Sequence, residues 1–185
     1  MRTWHKAIPA LAVVVGAISG CDNADPSTAA QPSTTAAPTT GADPDAALWD
    51  PCSLPDAALT AAGINTATRE KDIAGVEFEG WKVCGWKDSA TRYGFTVASG
   101  AHTIEEARAR TDYTDFADLT IGPRPALRSR PAGSAYEYSC YITVSVPHGL
   151  VDFDVLNRHS ANNPPDPCVE VERLARAFVT YLPSE

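Results

Sequence analysis

The segment Val151-Asp152-Phe153-Asp154-Val155 places two carboxylates two residues apart, a spacing that puts both on one face of a strand. Such a pair can hold a cation or divide acid and base roles between its members. The same alternation also describes the wet side of a half-buried sheet, and that is the expectation here. His102, His148 and His159 fall in loops or at strand edges, with no H-x-x-x-H spacing between them, so they are expected to be solvated rather than metal-bound. There is no G-x-S-x-G and no S-x-x-K, so a hydroxyl nucleophile has no signature. Glu105 and Glu106 sit where a helix would begin, and negative charge there complements the helix dipole. No phosphate-cradling glycine loop appears, and no basic stretch interleaved with aromatics. No catalytic residue, no metal ligand and no cofactor is therefore expected.

Sulfur is the other reactive element, and the five cysteines divide in two. Arg2 and Lys6 form a short positive leader, followed by 12 apolar residues from Ala7 to Ile18. A membrane-spanning helix needs about 20 residues, so this stretch has the build of a secretory signal instead. Ile18-Ser19-Gly20-Cys21 resembles the lipobox of bacterial lipoproteins, in which the Cys thiol receives diacylglycerol and the signal is cut just before it. That resemblance implies lipidation at Cys21, and two acyl chains are enough for stable anchoring where one is not. Losing residues 1–20 removes two positive charges, taking the net charge from −8 to −10. An acidic body argues against nucleic acid as a partner and against a polybasic membrane patch.

Cys52, Cys84, Cys140 and Cys168 remain, an even number suited to an oxidising compartment. Four cysteines allow three connectivities. Pairing Cys52 with Cys84 and Cys140 with Cys168 is preferred, because each bridge then ties the edge of a terminal helix to a strand about 30 residues away. Zinc binding or a redox role would call for a close pair such as C-x₂-C, which is absent.

The elements that position these residues follow from periodicity. Asp22 to Ala47 has Pro26, Pro32, Pro38 and Pro44 among Thr, Ser and Ala, and no apolar repeat. Such a composition predicts a disordered tether of 26 residues, roughly 30 Å long as a coil and about 80 Å when extended. Three regions result: a signal over 1–20, the lipidated Cys and tether over 21–47, and a globular domain over 48–185. Within the domain, Ser53 as cap, Asp56 three residues on and Gly63 at the far end predict a helix over Leu54 to Ala62. Trp81 to Trp86 and Tyr93 to Val97 read as strands either side of a polar turn near Asp88 and Ser89. Thr103 with Glu106 forms a capping box for a helix over Ile104 to about Thr111. In Cys140 to Val146 the even positions are apolar and the odd ones carry hydroxyls. The turn Pro147-His148-Gly149 then returns the chain through Val151, Phe153 and Val155. Asp166 and Pro167 open a last helix with Val171, Leu174, Ala175, Phe178 and Leu182 on one stripe. The fold class expected is α+β: a twisted antiparallel sheet with helices packed on one face and two disulfides.

The signal and lipobox, the Thr/Pro tether, Asp50-Pro51-Cys52-Ser53-Leu54, Cys84-Gly85-Trp86, a late strand Cys and the helix-start Cys168 together resemble an actinobacterial lipoprotein family known as domain of unknown function 3558. The resemblance implies a cell-envelope location and a disulfide-bonded domain, and it implies no activity.

Aromatic residues offer the remaining candidate surface. Trp81, Trp86, Tyr93 and Tyr141 lie in strands, and if they line an uncovered sheet face they form a groove for an apolar or sugar ligand. The alternative is that Trp86 packs on the Cys52–Cys84 bridge and the others fill the core. The leading functional expectation is a membrane-anchored, non-enzymatic module that binds an envelope protein, lipid or glycan. An assembly factor of an envelope complex comes next, then an envelope hydrolase built on Asp152 and Asp154.

Overall fold

The computed structural model describes residues 44–184. Expectations for the signal, Cys21 and most of the tether therefore lie outside the described residues. Seven strands form one antiparallel sheet: β1 (Ile64–Lys71), β2 (Trp81–Asp88), β3 (Tyr93–Gly100), β4 (Tyr113–Ile121), β5 (Arg124–Pro131), β6 (Ser139–Val146) and β7 (Gly149–Asn157). Their order is β1-β2-β3-β7-β6-β5-β4. Two meanders, one of three strands and one of four, thus meet along a seam where β3 pairs with β7 from Tyr93↔Asn157 to Gly100↔Leu150. Three helices complete the domain: α1 (Asp56–Ala61), α2 (Ile104–Ala109) and α3 (Pro167–Phe178).

The period-two pattern of the central strands decides what each face meets. Phe95 and Val97 of β3, Val151, Phe153 and Val155 of β7, and Ile142 and Val144 of β6 lie on one face and belong to the core. Onto them α3 lays Val171, Leu174, Ala175 and Phe178, all fully buried. Each large side chain buried in this way contributes roughly 1.5–3 kcal/mol. Asp166 caps α3 by accepting from the Cys168 and Val169 amides, at 2.8 and 3.1 Å. The capping box of α2 closes in both directions, with Thr103 N–H donating to Glu106 at 2.7 Å and Glu106 N–H donating to Thr103 Oγ1 at 3.1 Å.

Some expectations shift. Ser53 does not cap α1: its hydroxyl donates to the Asp50 carbonyl at 2.6 Å within a short 3₁₀ turn, and Pro55 holds the cap position. Gly63 follows α1 at φ +85°, as a C′ glycine should. Pro44–Ala47, expected as the end of the tether, forms a 3₁₀ turn, and the Asp45 carboxylate accepts from the Gly80 amide at 3.1 Å. The hairpin β4–β5 was not foreseen. Its strands carry Asp115, Asp118, Arg124, Arg128 and Arg130, and a bulge between Thr114 and Ala117 breaks the alternation that would have revealed them.

Both preferred disulfides are present: Cys52–Cys84 fastens the turn before α1 to β2, and Cys140–Cys168 fastens β6 to the first turn of α3. Their sequence separations of 32 and 28 residues set a loop-closure contribution of about 3–4 kcal/mol each. Replacing either pair by Ala should lower the unfolding free energy by about that amount in a denaturant titration, and the two losses should be similar.

Candidate functional site

The face of the sheet opposite α3 holds the residues with chemical potential. Successive cross-strand registers place Val83, Ala98, Asp152, Thr143 and Leu127 in one row, and Gly85, Thr96, Asp154, Tyr141 and Ser129 in the next. The floor over β2 and β3 is made of small residues, so the two carboxylates on β7 stand beside an open strip. The connection from β3 to β4 crosses this face, and α2 lies within it over β5 and β6. One side of the strip is therefore walled and the other is shallow.

A cavity of about 330 Å³ opens where the wall meets the sheet, lined by Trp81, His102, Glu106, Arg110, Leu150 and Asp152 among others. Trp81 is positioned by an absence. Its ring lies over Gly100, where a Cβ would come within 2.7 Å of the indole carbons. Gly149 faces a similar demand, since its Cβ would stand 2.1 Å from the Gly100 carbonyl oxygen. Close approach of the Trp81 ring at Gly100, and of the Gly100 backbone at Gly149, thus crowds out a side chain at both positions. The His102 ring sits 5.0 Å from the Trp81 ring, and its Nδ1 is 3.7 Å from Glu106. Arg110 follows α2 and is held by Asp112, with Nε donating at 3.0 Å, while its guanidinium lies 4.4 Å over the Tyr113 ring. Tyr113 meets Tyr141 edge-to-face at 5.1 Å.

The carboxylates are half-buried rather than fully solvated. Asp152 accepts from the Thr143 hydroxyl and Asp154 accepts from Ser139 at 2.9 Å. Burial pushes the Asp152 carboxyl up to about 6, against the opposing pull of the Thr143 hydrogen bond and of Arg110 and His102. Burial likewise pushes Asp154 up to about 7; the Ser139 bond opposes the shift and the Asp152 charge adds to it. This corrects the expectation of a simple wet face, because each carboxylate loses much of its water without gaining a full counter-charge. Burial also raises the Tyr141 phenol, so it is an un-ionised donor at neutral pH.

The four aromatic residues singled out in the sequence are divided between the faces. Trp81 and Tyr141 lie on the open side, each half-buried. Trp86 and Tyr93 lie beneath the sheet, 3 % and 1 % exposed. Trp86 stacks 6.0 Å from Phe95, and Tyr93 O–H donates to Glu170 of α3 at 2.5 Å. They belong to the core and cannot share a groove with the other two. Sequence reasoning missed Arg110 and Thr96 as site-lining residues; no motif marks either one. Arg130, 4 % exposed, packs 3.5 Å over the Tyr136 ring and donates to the Ser139 carbonyl at 3.2 Å, but it shares the parity of Arg128, which pairs with Ile142 of the core face, so it lies outside this site. Among the described residues there is no group of three or more His, Cys, Asp or Glu that could hold a metal ion. A second cavity, of about 510 Å³, lies on the far side of Trp81 among Asp50, Asp72, Glu77 and Glu79.

Comparison with known proteins bears on this fold at the level of the family. The family described as "Protein of unknown function (DUF3558)" matches residues 16–181. The chain belongs to this family. No curated protein and no solved structure matches it. Both disulfides of this DUF3558 chain and the open face described above fall inside the matched span.

The raised carboxyls give a pH test. A folded-state pKa above the ordinary value means that the folded protein holds the proton more tightly than the unfolded chain. Stability from this pair is then greatest at acid pH and falls as pH rises from about 4 through 6 and 7. The double variant Asp152→Asn/Asp154→Asn should match the parent near pH 4 and exceed it above pH 7 by at least about 1 kcal/mol. Denaturant unfolding at the two pH values would show this, and equal differences at both would contradict it.

Proposed function

We propose that this DUF3558 protein is a lipid-anchored module of an actinobacterial cell envelope, exported by its amino-terminal signal and held to the outer side of the membrane through Cys21. The n-region Arg2 and Lys6, the apolar run to Ile18 and the Ile18-Ser19-Gly20-Cys21 sequence support the address. Two internal disulfides suit an oxidising location. Its role is non-enzymatic binding of an envelope component, and the observation that carries this reading is the walled, small-residue strip beside Asp152 and Asp154, with its adjoining cavity at Trp81. The strip is accessible and polar, and α2 fixes one edge of it.

A second reading, a structural factor in envelope assembly, is favoured by one feature of the β1–β2 hairpin. Ile73, Val76 and Phe78 are 53 %, 55 % and 44 % exposed, and Ile73 and Val76 are locked side by side by reciprocal backbone bonds. Asp72, Glu77 and Glu79 surround this knob, which fits a protein partner with an apolar pocket and a basic rim.

The anchor is directly testable. In the native host, the mature protein should begin at Cys21 and carry the mass of a diacylglycerol thioether, and Cys21→Ser should move it from the membrane fraction to the soluble fraction. A Cys21→Ser protein that still sediments with membranes after a salt wash would overturn the anchor.

A further inference from the structure

We propose that the strip between α2 and β2 binds a neutral oligosaccharide, with Asp152 and Asp154 accepting hydrogen bonds from the hydroxyls of one sugar unit and Trp81 meeting a C–H face of the next. This deepens the binding role proposed above and rests on it. The argument runs by chemistry. Anionic polymers are disfavoured by a chain of net charge −8 and by two carboxylates in the floor. An acyl chain would have to displace water from Thr96, Asp152 and Asp154 without returning any hydrogen bond. A bare metal ion lacks the ligands, since no cluster of three or more suitable side chains exists among the described residues.

A saccharide meets each demand. A carboxyl group keeps acceptor lone pairs in either protonation state, about four sites when ionised and fewer when it carries a proton. Asp152 accepts one hydroxyl, from Thr143, and Asp154 one, from Ser139, so each retains capacity for donors arriving from the strip. Residues two apart on a strand are roughly 7 Å apart along it, the span of one sugar ring and its substituents. Arg110 stands at the wall to donate to ring or linkage oxygens. Trp81 and His102 form an aromatic end to the cavity, and an indole gives a weakly polar C–H surface a partner that aliphatic side chains do not. Gly85, Thr96 and Ala98 keep the floor low, so the ring can approach the carboxylates side-on.

The test is a titration of the isotope-labelled, full-length chain with neutral oligosaccharides built from glucose, galactose, mannose or N-acetylglucosamine, followed by amide chemical shifts and Trp fluorescence. At least one should shift amides of β3 and β7 together with the Trp81 indole. Asp152→Asn/Asp154→Asn should weaken that binding at least tenfold while its thermal unfolding stays cooperative. Trp81→Leu should weaken it similarly, with its own unfolding curve as the check on folding. Parallel arms use butylammonium and monomeric octyl phosphocholine. If only these shift the strip, the saccharide is overturned and the binding face stands. If no probe shifts it, or if saccharide binding survives loss of both carboxylates, the proposal falls, and in the former case the binding reading falls with it.

Discussion

The seam between β3 and β7 is the constraint on which the rest of the domain depends. It joins two meanders through residues 50 to 64 positions apart in sequence, and neither disulfide crosses it. What holds it, besides the backbone ladder, is α3. Phe178 stacks 5.6 Å from Phe95 on the far meander, Glu170 accepts from Tyr93, and Arg173 donates to the Ala62 carbonyl at 2.9 Å. The helix grows from the second meander and grips the first. Its apolar stripe requires that Val151, Phe153 and Val155 point towards it, which fixes Asp152 and Asp154 on the other side. Packing beneath the sheet thus decides the chemistry available above it.

Much of this was legible in the sequence where one signal acted alone. Alternation in β6 and β7 gave the strands and their faces, and the Thr103/Glu106 and Asp166/Pro167 pairs marked the starts of α2 and α3. The disulfide pairing followed from where the helices and strands would end. The β4–β5 hairpin was hidden because its charged side chains pair within it and with α2, Arg128 and Arg130 with Asp115 and Asp118 with Arg108, rather than following a solvent-facing rhythm. Asp115 adopts φ +56° at the bulge, a local departure that no periodic pattern encodes.

The candidate site was legible only in part, for a different reason. Asp152 and Asp154 stood out by spacing, but their half-burial comes from Tyr141 on the neighbouring strand β6 and, for Asp152, from α2, which arrives through a long crossover. Aromatic residues in neighbouring strands were grouped by sequence, whereas parity sorts them: Trp81 and Trp86 are five apart on one strand and so face opposite ways. Bulges and charges at β1 and β4 also have a shared effect. They leave both sheet edges poor templates for another strand, which directs any recognition to the face and the hairpin tip.

The crossover that carries α2 has one more consequence. Cys52–Cys84 lies wholly before it and Cys140–Cys168 wholly after it. A single protease cut between Gly100 and Tyr113 would leave two fragments with no covalent link, each keeping its own cystine. The wall of the groove is also the only peptide bridge between the halves, so a nick there would turn one molecule into a non-covalent heterodimer held by a β-ladder and one helix.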